Sequence, residues 1–470
     1  MKQSRFGRLV PFLLVLIVVT VVPAQSQTYS VLYNFGTQTG GPWGMYRAGL
    51  IAQGLDGSLY TAAQSGGASS SNGAAYSLTL QGGLKVLHSF NGTDGTNPRA
   101  GLTLGTDGSF YGITANGGSC GGGTSYKVGS SGGFTTLYQF PCADGFASTP
   151  LTLAQDGTFY GATYSGGAYN YGQIYRIAPN GQYSVIIDSG DNINSPLLLG
   201  TDGAFYAESS SGGSQEYGGI FKITTAGQIT YLHSFDSTNG YYPHGGLYQG
   251  TDGNFYGTTD NGGAFSAGVV FQLTPAGVYS VLHHMNGTSD GAVSYTGLIQ
   301  ATDGNFYGVT SQGGIITSAC PSGCGTLFRI TPQGAYSVLH TFTHVDGDSP
   351  QSSLYQHTNG RIYGATEFGG TGTDPACNAN CGVFFSLDAG LAPYAALTPF
   401  EGTRGSRVVI LGQGFKSATA VTFNGVAASF TIVSDTTISV TVPGTATTGI
   451  VKVTLGRLGS LSSKVRFTVH

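Results

Sequence analysis

The chain has 470 residues, a net charge of −4 and only 9% charged side chains. It offers no basic patch to hold phosphates, which excludes nucleic acid as an expected partner. Glycine accounts for 79 residues, far above the usual share of about 7%, and there are 28 Tyr and 26 Phe. The glycines recur at fixed places between apolar segments, so they read as turns and not as low-complexity sequence.

The first element is a leader. Lys2, Arg5 and Arg8 form a positive region, Leu9 to Val22 is apolar apart from Pro11 and Thr20, and Ala24-Gln25-Ser26 offers a cleavage site. Residues 1–26 are therefore expected to be a signal peptide. A retained anchor is the alternative, but the apolar run is shorter than the ~20 residues of a spanning helix. With no second hydrophobic stretch, the mature chain is expected to be exported, extracellular or cell-surface associated, with no membrane span.

A repeat follows. Asp56-Gly57, Asp107-Gly108, Asp156-Gly157, Asp202-Gly203, Asp252-Gly253, Asp303-Gly304 and Asn359-Gly360 each precede a short aromatic strand, at spacings of 51, 49, 46, 50, 51 and 56 residues. A fixed period near 50 marks a supersecondary unit that buries its apolar face only against its neighbours. In one unit, Gly246–Gly250, Asn254–Thr259, Val269–Leu273 and Tyr279–Met285 read as strands A to D. Asp-Gly suits a two-residue hairpin and Thr274-Pro275-Ala276-Gly277 a second turn. The units supply seven A-B-C sets but only six D strands after them. The missing copy is Tyr29–Phe35 ("YSVLYNF"), ahead of the first A strand. The expected fold is all-β: a seven-bladed β-propeller over residues 27–390, closed by that N-terminal strand in the last blade. An open array would leave Tyr29–Phe35 without a parent unit.

The repeats lack the Trp-Asp pair of WD units. Their Gly-Gly after strand B (such as Gly262-Gly263) is similar to kelch repeats. The fuller pattern, "GL…DGxFYGxTxxGG…G…FxIxxxGxxxxLHSF", more closely resembles the bacterial GloVer (Gloeo/Verruco) tandem-repeat family, over about Tyr29 to Gly390. That family occurs in exported proteins and implies no established activity. From 391 to 470, phrases such as Gly412-Gln413-Gly414-Phe415 and Val442-Pro443 resemble an IPT/TIG domain, an immunoglobulin-like sandwich. Alternating pairs such as Val421/Phe423 and Val451/Val453 agree with it. Such domains usually act as spacers or binding modules.

Six cysteines in an exported chain predict three disulfides: Cys120–Cys142, Cys320–Cys324 and Cys377–Cys381. Zinc is the alternative, but it prefers C-x₂-C pairs converging as four ligands. No metal or cofactor is expected. "NGTDGT" (Asn91–Thr96) and "NGTSDG" (Asn286–Gly291) lack a full calcium loop and read as Asx-turns. His88, His233, His283 and His340 share one place in strand D and read as structural. His284, His244, His344 and His357 fall outside that register.

Candidate ligand contacts come from aligning the repeats on one another. The residues before each Gly-Gly vary where their flanks do not; they include Tyr164, Asp260/Asn261 and Glu367/Phe368. Arg47, Arg99, His244 and Tyr295 reach the same rim from the D–A loops. Loops displayed on a rigid ring are where binding resides. The leading functional reading is an exported, non-catalytic binding or adhesion platform for an extracellular glycan or cell-surface protein. The alternative is a carbohydrate-active propeller enzyme. A seven-bladed kelch ring followed by an Ig-like domain is similar to the copper-radical galactose oxidases, but every cysteine here has an expected cysteine partner. For a glycosidase, Asp260 with Glu367 is the candidate pair.

Overall fold

The structure, a computed structural model, describes residues 27–37, 41–43, 49–68, 71–142, 145–147, 149–377 and 380–470. The expected leader and Arg47 lie outside them. Regular structure among the described residues is strand, with a few short 3-10 turns. The β-branched and aromatic residues between glycine turns account for this.

Six of the repeats each fold into a four-stranded antiparallel sheet in sequential order, a propeller-like blade, and the last shares a five-stranded sheet with the N-terminal strand. One runs Tyr248–Gln249, Phe255–Thr258, Val269–Leu273, Tyr279–His284. Strand A is shorter than its sequence suggests, two residues and not five, because Gly246 has φ +83° and its N–H turns away to a carboxylate. The A–B turn also differs from a two-residue hairpin. Gly54 donates to the Ser58 carbonyl, Gly57 donates back to Gly54, and Gly57 has φ +78°. The aspartate before it is thereby freed to accept from the Ser58 N–H and the Tyr60 hydroxyl. Copies of this Asp–Tyr bond occur at Asp107–Tyr111, Asp202–Tyr206, Asp252–Tyr256 and Asp303–Tyr307.

The N-terminal strand Thr28–Asn34 pairs antiparallel with Val383–Asp388, the last C strand of the repeats. Its details repeat those of a D strand. Each D strand skips one residue in its pairing, at Leu87, Leu137 and Leu282 for example, and Thr28–Asn34 skips Leu32. A glycine of the following sheet's C–D turn lies against the bulged carbonyl. A Cβ on Gly82 would sit 2.6 Å from Leu32 O, and one on Gly334 2.8 Å from Leu282 O, so only glycine fits. Tyr29 stacks on His340 (centroids 3.7 Å apart), as Phe134 does on His88, Tyr279 on His233 and Tyr336 on His283. The strand-D histidines are therefore staples between sheets.

An inner ladder links the A strands. Thr201, Thr251 and Thr302 donate their N–H groups to Gln249, Gln300 and Gln356 of the next sheet, and Thr358 donates to Gln53 of the first. The core lies in layers between successive sheets, built on fully buried rings such as Tyr76, Tyr126, Tyr175 and Tyr256. Each such ring contributes about 1.5–3 kcal/mol of apolar burial. One layer joins Phe35, Leu59 and Tyr76 to Tyr363 and Phe384, the two ends of the repeat array.

The C-terminal unit has its own core, around Val408, Ile410, Phe415, Phe423, Ile438 and Phe467. One sheet holds Ala396–Thr398, Arg407–Leu411, Thr437–Thr441 and Phe430–Ile432. The other holds Val426–Ala428, Ala420–Phe423, Val451–Thr454 and Ser460–Ser462. The unit sits on the A–B turns. Thr436 donates to Leu55 O at 2.7 Å, Gln413 to Thr358 at 3.0 Å, and Tyr394 to Gln356 O at 2.6 Å. A cleft of about 270 Å³ between the two units is lined by Leu199, Asp202, Phe400 and His470, among others.

Candidate functional site

The turn side is thus occupied by the C-terminal unit, and the long B–C and D–A loops emerge on the other side. There the two sets of variable residues meet. The residue three before the Leu that opens strand A lies 16 positions ahead of the second residue before Gly-Gly, and the loops fold them together. Asn194 donates to Ser210 at 2.8 Å, His244 Nδ1 lies 2.6 Å from Asp260, and Gln351 donates to Glu367 at 2.5 Å. Backbone bridges hold the geometry: Tyr241 with Asn261, Ala292 with Gln312, Thr96 with Asn116. Sequence reasoning named His244, Asp260 and Glu367 but not the pairing, because the 16-residue offset is visible only once both loops share a rim.

The His244–Asp260 pair is the most elaborate. Asp260 is nearly buried and His244 keeps about a fifth of its side chain exposed, so an incoming group meets the imidazole first. The Tyr295 ring stands 6.3 Å from it. Behind them lies Glu208, which sequence reasoning passed over. It sits in strand Phe205–Ser209 at a position held elsewhere by Ala62, Ile113, Ala162, Thr258, Val309 and Ala365. It is fully buried and accepts the Gly246 N–H at 2.9 Å through Oε2, while Oε1 has no partner. Burial, with the Asp260 charge nearby, pushes its carboxyl up to about 8 against the pull of the Gly246 bond. Its surroundings therefore favour the protonated carboxyl. The signal that could have found it was its substitution into an otherwise uncharged repeat position.

The other expected contacts are dispersed. Tyr164 is exposed on its loop and Phe368 at the end of strand Ile362–Phe368, Arg99 is half-buried in the second sheet's entry loop, and Glu367 lies in a different sheet from Asp260. Asp260 and Glu367, the candidate glycosidase pair, are each engaged with a partner of their own.

All six cysteines are paired as expected, with Cα–Cα distances of 5.8 Å for Cys120–Cys142 and 5.3 Å for Cys320–Cys324 and Cys377–Cys381. Asp348 approaches Cys320 and Cys324, but their sulfurs are bonded to each other and have no thiolate to offer a metal. Both Asn-Gly-Thr loops are Asx-turns, Thr93 donating to Asn91 and Thr288 to Asn286. Their aspartates, Asp94 and Asp290, hold His88 and His283. No helix among the described residues is long and apolar enough to cross a membrane.

Among solved structures, the chain is similar to the extracellular domain of a putative hybrid two-component system from B. thetaiotaomicron. That match has a TM-score of 0.51 at 10% identity, covering 94% of this chain and 57% of that one. A second such domain from the same organism has a TM-score of 0.49 at 11% identity, with 83% and 46% covered. A gluconolactonase from Xanthomonas campestris has 0.41 at 11% identity, with 74% and 98% covered. The chain spans about half the length of those two extracellular domains, and these likenesses bear on the fold alone. No curated protein matches the sequence. An IPT/TIG domain model matches residues 395–469, the C-terminal unit. The Gloeobacter/Verrucomicrobia repeat model matches residues 17–196 and 192–431, and the chain belongs to that repeat family.

Proposed function

We propose that this is an exported, non-catalytic binding or adhesion platform. In this reading residues 1–26 are a cleaved signal peptide and 27–390 a seven-bladed propeller closed by its N-terminal strand. Residues 391–470 are an immunoglobulin-like sandwich backing the turn side. The loop side takes an extracellular glycan or a cell-surface protein, contacted from the set Arg47, Arg99, Tyr164, His244, Asp260, Asn261, Tyr295, Glu367 and Phe368. It needs no cofactor and no nucleic acid. The observation that carries the reading is the set of variable polar pairs 16 residues apart, Asn194–Ser210, His244–Asp260 and Gln351–Glu367, mounted on a constant frame. Ring closure is supported by Tyr29 on His340 and by Thr358 on Gln53.

A carbohydrate-active enzyme is the second reading, favoured by Glu208, whose burial pushes its carboxyl toward the protonated form a general acid needs. Its complete burial argues against contact with a substrate. Arrays of glycans and surface proteins, probed with the mature chain and with His244→Ala and Gln351→Ala, separate the readings. The platform predicts retention of a ligand without product release, weakened by at least one variant. Release of shortened sugar in proportion to protein would replace it with the enzyme.

A further inference from the structure

The loop side is uneven in a way the polar pairs do not explain. Large exposed rings concentrate on the loops of the third and fifth sheets, to either side of the fourth. Phe146, Tyr164, Tyr169 and Tyr171 are 50%, 45%, 67% and 49% exposed, followed by Tyr242 at 40% and Phe265 at 61%. Backbone bonds tie these loops to one another and to the loop of the fourth sheet. Tyr164 donates its N–H to Phe146 O at 2.9 Å, and Tyr242 donates to Tyr217 O at 3.2 Å. Asn170, at φ +59°, folds the Tyr169–Tyr171 tip by accepting from Gly166. Two of these rings are not required by the repeat: where the third unit has Tyr164 and Tyr169, the fourth has Ser210 and Gln215. Exposed aromatic area gathered on one side of a monomer marks a contact surface.

Charge selects the occupant. Segments 163–172, 189–196, 209–218, 235–246 and 259–268 contain no Lys or Arg, while Asp191, Glu216, Asp236 and Asp260 lie within them. A polyanion is repelled there. Flat rings with hydroxyls, and amides and hydroxyls from Asn194 and Ser210 between them, match the faces and edges of uncharged pyranoses. The rings lie on two sheets with a third between them, beyond the reach of a single sugar.

Resting on the platform reading, we propose that the aromatic arc of Phe146, Tyr164, Tyr169, Tyr171, Tyr242 and Phe265 binds a linear, neutral polysaccharide laid across it. Sugar rings stack on the arc one after another, so affinity rises with chain length. Affinity electrophoresis of the mature chain through gels containing hydroxyethylcellulose, galactomannan, arabinoxylan or polygalacturonate tests this. At least one neutral polymer should retard the protein, and polygalacturonate should not. The double variant Tyr169→Ala/Tyr171→Ala, both exposed and safe for folding, should weaken retardation by about tenfold or more. Tyr231→Ala, equally exposed on an outer strand, should leave it unchanged. Retardation by no neutral polymer, or retardation indifferent to the double variant, overturns the arc. In either case a loop-side ligand on the protein array, lost in His244→Ala, would leave the platform standing.

Discussion

Glu208 is the residue where a single substitution reports on the site. Its carboxyl is pushed from 4.5 to about 8 by burial, so the folded chain holds a proton that the unfolded chain releases. Its stabilising contribution is whole below about pH 4.5 and is lost as pH rises toward 8. Glu208→Gln keeps the acceptor for Gly246 and removes that loss. The variant should match the parent at pH 4 and exceed it by on the order of 3–5 kcal/mol at pH 9, read by chemical denaturation. Parallel pH profiles would mean that Glu208 titrates normally. The Asp–Tyr bond has a built-in control, since Asn359 replaces it with a bond of opposite direction, its side-chain amide donating to the Tyr363 hydroxyl at 3.0 Å. Asp303→Asn should therefore be nearly neutral, and Asp303→Ala should cost about 1 kcal/mol of unfolding free energy.

The N-terminal strand carries the test at the scale of elements. Tyr29→Ala removes the stack on His340 and the hydroxyl bond to Asp346 O, and should cost about 3 kcal/mol. Val86→Ala, on an exposed face of another D strand, should stay within about 0.5 kcal/mol. Equal effects would remove the clasp. Cys120–Cys142 closes 22 residues between a B–C loop and the next D–A loop. Replacing both with alanine should lower stability by about 3 kcal/mol in a thermal melt. The sheet order and the role of Tyr29–Phe35 were legible because a repeat prints its strand pattern several times, so a missing copy shows. The shortness of strand A was not, since it follows from the backbone turn at Gly246 and its bond to Glu208. Glu208 was masked by its place inside a strand, and the exposure of Tyr169, Tyr171 and Phe265 follows only from how their loops lie.

For the whole molecule, the seat of the C-terminal unit decides which side is free. Thr436 on Leu55 and Gln413 on Thr358 place it against the A–B turns, contacts between residues far apart in the chain that no local pattern announces. The rim of polar pairs and the aromatic arc then face away from it. Hydrogen exchange of the mature chain, with and without the neutral polymer that retards it most, tests this division directly. The account predicts added protection in segments 163–172, 209–218 and 259–268, with none at turns 54–57 and 200–203 or in residues 395–469. Protection confined to those turns or to the C-terminal unit would contradict it.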